Sequence, residues 1–368
     1  MILYLWKYTF DLPNKSWNFE KTLALDYATS VIWAQNYNTL GNFEIYVKAS
    51  PELINAFSGS AFITRDGRDT VMYVEKVVLT TDSENGDYLI VSGRSAEIIL
   101  NWRVILRYYI NAQKTAENIM RDAIATFLWD QIPSHAIAPA YFPFLKLGAL
   151  KGYTDSLTTQ FTGKTLYDIV NSLCMQFNYG FKLVFDGHFF TFELYKGTDR
   201  SYAQTENPYV IFSPEFENLG KTEYSEDSSQ YANCAIVGGE GEGTDRTSTT
   251  VFPYDVYGMD LRQLYVDART VSSKSGETEL TPSEYTEVLK QKGIEALAQH
   301  KVFINFAGEI LNTNSYTFGV DYGLGDKVAV KNSYGIKGNA TVTGITEVED
   351  SSGYRLVPTL SEWEVYTY

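Results

Sequence analysis

The strings in this chain that could do chemistry are few, and each lacks a part that its chemistry needs. Gly163-Lys164-Thr165 matches the end of a phosphate-binding loop, but that loop needs a glycine at position 158, where Thr158 stands. A turn that opens a helix is the better reading. Gly238-Gly239-Glu240-Gly241-Glu242-Gly243 is rich in glycine, yet no register puts glycines at the first, third and sixth positions of a dinucleotide fingerprint. Glu240 and Glu242 would also repel a pyrophosphate, so a strand-to-strand turn is expected. The acidic run Asp82 to Asp87 lacks the ligand positions and distal Glu of a calcium loop and reads as a hairpin loop. His135, His188 and His300 lie far apart, and Cys174 and Cys234 are too few for a disulfide framework or a thiolate zinc site. There is no Gly-x-Ser-x-Gly elbow and no His-Glu-x-x-His pair. Carboxylates are abundant enough to form a glycosidase pair in space, which a sequence cannot display. No catalytic residue, metal or cofactor is expected.

The elements around these strings read mainly as strands. Ile2–Tyr8, Tyr27–Ala34, Phe43–Lys48, Thr70–Thr80 and Tyr88–Ser92 are rich in Val, Ile, Tyr and Thr. Turn signals at Leu40-Gly41-Asn42, Asp66-Gly67-Arg68 and Asp82–Asp87 separate them into an antiparallel meander. Ser95 is a plausible cap for a short helix to Leu100, followed by an extended stretch from Arg103 to Asn111. Residues 114–129 carry apolar side chains on one helical face, and Pro133, Pro139 and Pro143 break regular structure after them. Thr154–Phe161 reads as a strand. Thr165–Phe177 is the clearest amphipathic helix, with Leu166, Ile169, Val170, Leu173 and Phe177 on one side. A hairpin follows, Gly180–Phe185 and Phe189–Tyr195, turned by Asp186-Gly187-His188. Strands return at Phe216–Ser225 and Asn233–Val237. Thr281, Pro282 and Glu284 form a capping box for a helix to His300. Strands at Lys301–Ile310, Lys327–Lys331, Gly338–Glu347 and Tyr354–Leu360 complete the chain.

The chain has 368 residues, 30 Lys or Arg against 45 Asp or Glu, and a formal charge of −15. That balance argues against a reader of nucleic-acid sequence, which needs cations for phosphates, and suits a wall along which DNA slides without sticking. Aromatics are 15% of residues and fit strands and interfaces. No run of about 18 apolar residues occurs, so no membrane span is expected, and the start lacks the pattern of a signal peptide.

The order of elements carries a resemblance. The meander leads to Leu100-Asn101-Trp102-Arg103-Val104. The helix-plus-hairpin unit ends Gly197-Thr198-Asp199-Arg200-Ser201. Asn233-Cys234-Ala235-Ile236-Val237-Gly238-Gly239 follows, and Tyr322-Gly323-Leu324-Gly325-Asp326-Lys327 comes late. This resembles the siphophage tail-tip or baseplate hub family, the N-terminal hub part of tail-associated lysins, and is similar in layout to the hub beneath the spike of contractile phages. The resemblance implies a mainly β fold with α+β insertions: two tail-tube-like antiparallel β-barrels plus two inserted domains. The first barrel would take residues 1–111, a helix-plus-hairpin domain 112–206, the second barrel 207–238 and 301–368, and an inserted domain 239–300.

It further implies a structural protein, not an enzyme, that forms a homotrimeric ring at the virion tail tip. Two barrels per chain would match three-fold tip to six-fold tube, with a lumen for DNA passage. Expected partners are a distal tail or tail-tube protein, the tape-measure protein and a tail fibre or receptor-binding protein. Asn101, Trp102, Arg103, Gly197, Asp199, Arg200, Asn233, Gly238, Gly239, Gly325 and Asp326 are the expected structural motif residues. A tail-tip peptidoglycan hydrolase and a carbohydrate-binding adhesin are the competing readings. Many relatives continue into a lytic domain, for which the chain ending at Tyr368 is expected to leave no room.

Overall fold

A computed structural model of the chain describes residues 1–11, 16–82, 86–105, 108–109, 113–129, 145–252, 255–275, 278–310, 315–334 and 337–365. His135, Pro133, Pro139 and Pro143 lie outside the described residues, as do residues 83–85 of the acidic hairpin loop.

Seven strands come first: β1 Leu3–Asp11, β2 Ser16–Leu25, β3 Ser30–Asn36, β4 Asn42–Lys48, β5 Ala61–Arg65, β6 Val71–Thr80 and β7 Tyr88–Ser95. A short helix, α1 Pro51–Phe57, sits between β4 and β5, capped by Ser50, whose side chain accepts from Leu53 N. Strict alternation explains the sheet faces. Val31, Trp33 and Gln35 of β3, and Phe43, Ile45 and Val47 of β4, point inward while their neighbours face out. The apolar ones form one core with Leu3, Leu5, Val91 and the α1 residues Leu53 and Phe57.

The middle of the chain builds a second core. α2 Ala116–Ile124 is capped by Thr115 and widens into a π-helical turn over Ala125–Trp129. α3 Leu166–Phe177 has a complete Thr165/Asp168 capping box and ends in left-handed Asn178. The hairpin is β8 Gly180–Phe185 and β9 Phe190–Tyr195. Its turn holds because Asp186 accepts from His188 N at 2.8 Å and Phe189 N at 2.7 Å, with Gly187 at φ +95°. Ile119, Met120, Leu166, Ile169, Leu173 and Phe192 pack together here, against Phe62 and Val71 of the first sheet region.

The rest returns to strands: β10 Leu219–Asp227, β11 Cys234–Gly238, β12 Ser248–Val251, β13 Gln263–Asp267, then α4 Pro282–Gln299, then β14 Phe303–Ile310, β15 Lys327–Lys331, β16 Lys337–Asp350 and β17 Gly353–Val365. β11 lies between β12 and β13, and Val288 and Leu289 of α4 cover that small sheet. Phe212, Val328, Val330, Val342 and Leu360 form a further core.

The large sheet departs from the expected pair of separate antiparallel barrels. It is one 13-stranded sheet in the order β10-β14-β17-β16-β3-β4-β7-β6-β5-β1-β2, with β15 on β16 and Ile211–Phe212 on β15. β3 uses one edge for β4 and the other for β16, where Glu347 stands opposite Trp33. An edge strand seeks a partner, and here the two strand-rich ends of the chain satisfy each other. Among the described strands the pairing does not close into a barrel. Nor is it wholly antiparallel: Ile211–Phe212 runs parallel to β15, and in two separate smaller sheets Leu145–Leu147 runs parallel to β9 and β11 parallel to β13.

Local expectations also needed correction. Ala96–Trp102 is a 3-10 helix, and the Ser95 side chain caps nothing in it; its Oγ accepts instead from Gly41 N at 2.9 Å. Thr154–Phe161 is broken into two-residue pairings at Ser156–Leu157 and Gln160–Phe161. β2, β5 and α1 had no counterpart in the sequence reading.

Candidate functional site: a glycine-lined joint and a buried clasp

Two motif segments far apart in sequence meet. Gly197 lies so close to Gly325 that a Cβ on it would stand 1.9 Å from the Gly325 carbonyl. Gly325 has φ +85°, a conformation that glycine adopts without strain. Asp326 then binds both sides. Its Oδ1 accepts from Thr198 N at 2.6 Å, and its Oδ2 from Arg200 Nε at 2.8 Å and Gly323 N at 2.9 Å. Main-chain bonds run beside these, Arg200 N to Lys327 O at 2.7 Å and Lys327 N to Thr198 O at 3.0 Å. Asp199 turns the chain onward by accepting from Ser201 N and Oγ at 2.9 and 2.7 Å. Charge-assisted bonds of this kind are about twice as strong as neutral ones, and Asp326 is buried.

Tyr37 is the residue that the sequence reading missed. It is 1% exposed and follows the end of β3. Its hydroxyl donates to Asn178 O at 2.9 Å, its N–H to Thr343 O at 2.9 Å, and its carbonyl accepts from Phe181 N at 3.2 Å. Three glycines make room for it: a Cβ on Gly180 or Gly325 would stand 2.4 or 2.3 Å from its ring, and Gly197 N lies 3.4 Å from its hydroxyl. One phenol thus touches the first strand region, the helix–hairpin unit and the late strands.

The remaining motif residues stand elsewhere. Asn101 and Trp102 are exposed at the end of the 3-10 helix, with the Trp102 ring edge-on to Tyr73 at 5.0 Å. Arg103 is half-buried, its pKa lowered by burial, and its carbonyl accepts from Leu166 N at the start of α3. Asn233 clamps the approach to β13, donating to Asp260 O at 2.9 Å and accepting from Arg262 N at 2.9 Å. Gly238 and Gly239 end β11 where Cβ atoms would strike the hydroxyls of Tyr265 at 2.4 Å and Tyr285 at 2.6 Å. The eleven residues therefore form one joint of five and three separate local devices.

A second cluster joins the halves of the large sheet. Glu347 on β16 is fully buried and faces Arg65 and Arg68 from β5 and the turn after it. Arg65 Nη2 donates to it at 3.0 Å, while Arg65 Nη1 approaches at 2.9 Å as an ion pair without hydrogen-bond geometry. Arg68 donates at 3.2 and 3.3 Å, and the Tyr354 hydroxyl also donates. Burial opposes the Glu347 charge, but hydrogen bonds from Arg68 and Tyr354 and the two guanidinium charges outweigh it and hold its pKa below the ordinary value. Burial and then the hydrogen bond to Glu347 push the Tyr354 hydroxyl up to about 12.

A cavity of about 610 Å³ lies between these two clusters, lined by Arg68, Glu97, Lys182 and Glu193 among others. Glu97 is buried there and accepts from Leu183 N at 2.7 Å; burial raises its pKa against the pull of Ser95 and Leu183 hydrogen bonds. Lys182 is paired with Asp69. Arg65 Nε apart, the polar groups named in the two clusters hold distant segments of the chain to one another. Among the described residues, no group of three or more His, Cys, Asp or Glu could hold a metal ion, and no helix is long and apolar enough to cross a membrane. Cys174 and Cys234 are free and buried.

The comparisons agree with this architecture. The family profile described as "Siphovirus ReqiPepy6 Gp37-like protein" matches residues 9–360. No curated protein sequence matches significantly. Among solved structures, the tail protein from Neisseria meningitidis MC58 is similar at TM-score 0.56 and 13% identity, over 92% of this chain and 94% of that one. The 43 kDa tail protein of prophage MuSo2 from Shewanella oneidensis is similar at TM-score 0.53 and 12% identity, over 98% of each chain. At such identities the likeness shows the fold, while the profile spans nearly the whole sequence. The chain belongs to the siphovirus ReqiPepy6 Gp37-like family.

Proposed function

We propose that the chain is the tail-tip baseplate hub, three copies of which form a ring that closes or extends the tail tube. The observation that carries this reading is the large sheet with two free ends. The strand-rich ends of the chain meet at β3 and β16, and the outer edges of β2 and β10 have no partner among the described residues. Long unpaired edges invite pairing with further chains, and a closed ring satisfies them without fibre growth. In this reading the two sheet halves, residues 1–111 and 207–238 with 301–368, act as two tube-like barrels once neighbours complete them. Residues 112–206 and 239–300 are the inserted domains. The five-residue joint around Asp326 and Tyr37 then fixes the angle between insertion and ring.

The ring contacts a distal tail or tail-tube protein above, the tape-measure protein within, and a fibre or receptor-binding protein below. DNA passes through its lumen unbound, which the charge of −15 favours. The protein acts without covalent chemistry. Mass photometry followed by reconstruction of the purified protein tests this: a three-chain ring is expected. A monomer that stays monomeric beside its tail partners, or a ring whose lumen is basic, overturns it.

A further inference from the structure

A cavity of about 520 Å³ opens where β15 and β16 meet the segment that follows Arg200. Ile211, Ala329 and Val330 give it an apolar lining, and Tyr202 and Phe216 line it as well. We propose that this cavity binds an amphiphilic anion, a small molecule with an apolar acyl body and one carboxylate. The inference does not rest on the ring proposed above.

Three observations carry it. The first is exposed aromatic surface. Tyr202 is 56% exposed and Phe216 54%, and Tyr209, 42% exposed, packs on Tyr202 with ring centroids 5.3 Å apart. Phe216 is held there because Ser213 caps the 3-10 turn Pro214–Phe216, its Oγ accepting from Phe216 N at 3.3 Å. Three rings left about half in water beside a hollow are apolar surface that a ligand body can cover.

The second is charge. Lys331 of β15 and Lys337 of β16 stand directly opposite each other in the antiparallel register, so their side chains leave the same face of the sheet. Like charges in that relation repel. Both lysines line the cavity. Among the described residues of the lining Glu215 is the one acid, and it pairs with Lys331. Two cations against one anion leave the lining with a surplus positive charge, in a chain whose total is −15. An anionic head group placed there relieves the repulsion, and a cationic one adds to it.

The third is the placing of the polar groups. Ser213 is buried with its Oγ engaged as the cap, and Ala329, Val330 and Gly338 are paired within the sheet. The charged groups and the Tyr202 hydroxyl are the polar features left in an otherwise apolar hollow. That pattern matches a ligand with one charged end and an apolar remainder. It selects against a sugar, whose many hydroxyls would face walls that cannot bond them. The volume lies in the range usual for a small ligand.

Saturation-transfer difference NMR titrations of the full chain test the proposal with octanoate, octanol, octylamine and acetate as probes. Octanoate should bind about tenfold more tightly than octanol, the factor that one favourable charge contact supplies. Octylamine should bind more weakly than octanol, and acetate, which lacks the body, should show no transfer. Lys337→Gln should lower octanoate to the octanol level and leave octanol unchanged. Glu215→Gln should tighten octanoate by releasing Lys331 toward the ligand, a gain that a merely structural role for Glu215 would not produce. Phe216→Ala should weaken octanoate and octanol alike. All three variants sit at exposed positions and should melt as the parent does; the ranking of the four probes on the parent chain depends on none of them. No transfer to octanoate, octanol or octylamine binding as tightly as octanoate, or octanoate affinity unchanged in Lys337→Gln overturns the proposal.

Discussion

The joint at Asp326 and a cleft between α3 and α4 both connect separate parts of the chain, and they are built in opposite ways. At the joint, backbones touch. Glycines at 197 and 325 let two segments approach within reach of main-chain hydrogen bonds, and one buried carboxylate ties three donors. At the cleft, long side chains do the connecting: Lys292 and Glu295 reach Thr159, and Gln291 reaches Gln176 at 3.0 Å. The first has no slack, because any added atom collides. The second leaves about 590 Å³ of open volume and the buried Gln160 Oε1 without a partner. A rigid connection between the late strands and the segment after the β8–β9 hairpin, beside a looser one between α3 and α4, is what the contrast teaches.

Substitutions should separate the two by size of effect. Gly197→Val forces a side chain into the Gly325 backbone, and should cost at least about 4 kcal/mol, seen as loss of soluble folded protein or a collapsed melting temperature. Glu347→Gln takes the charge partner from Arg65, nearly buried, and from the partly exposed Arg68, and should cost about 3 kcal/mol in urea unfolding. Asp326→Asn keeps the shape but loses the charge toward Arg200, and should cost about 2 kcal/mol by the same measurement. Gln291→Met at the cleft should cost only about 1 kcal/mol, since it removes one neutral hydrogen bond, to Gln176. An equal or larger loss for Gln291→Met than for Asp326→Asn would break the comparison.

The pH dependence sharpens it further. The folded-state pKa of Glu347 is depressed, so its contribution is present above the unfolded value and is lost as pH falls through the folded one. Glu97 is raised above 4.5, so the folded state holds its proton more tightly, and stability falls as pH climbs from there toward the raised value. Relative to the parent, Glu97→Gln should therefore gain stability on going from pH 4 to pH 8 in urea titrations, and Glu347→Gln should lose it. Parallel curves for both variants would contradict these assignments.

Much of the local structure was legible because its causes are local. Thr165 with Asp168 and Thr281 with Glu284 close capping boxes within three residues, so α3 and α4 begin where the sequence signals them. Asp186-Gly187 bends the β8–β9 hairpin by bonds that span two or three residues. α1 was missed although Ser50-Pro51 signals its start, because seven residues show too little periodicity. β2 has a mixed pattern that acquires meaning only from its pairing with β1. Ser95 shows the other failure: its hydroxyl had a cap to make nearby and was drawn instead to Gly41 across the sheet.

The sequence by itself determined a mainly β chain with two strand-rich ends, its capped helices, its hairpin turn, its acidity, and its membership of the siphovirus ReqiPepy6 Gp37-like family. Only the tertiary structure decided that the ends share one sheet through β3 and β16, that Gly197 and Gly325 touch, and that Tyr37 and Glu347 are the residues on which separate regions converge. The physical reason is distance along the chain. Caps and turns are satisfied within a few residues and leave their marks in sequence. Glu347 meets Arg65 across 282 positions, and Tyr37 meets Asn178 across 141. Such pairs follow from packing and carry no local signature.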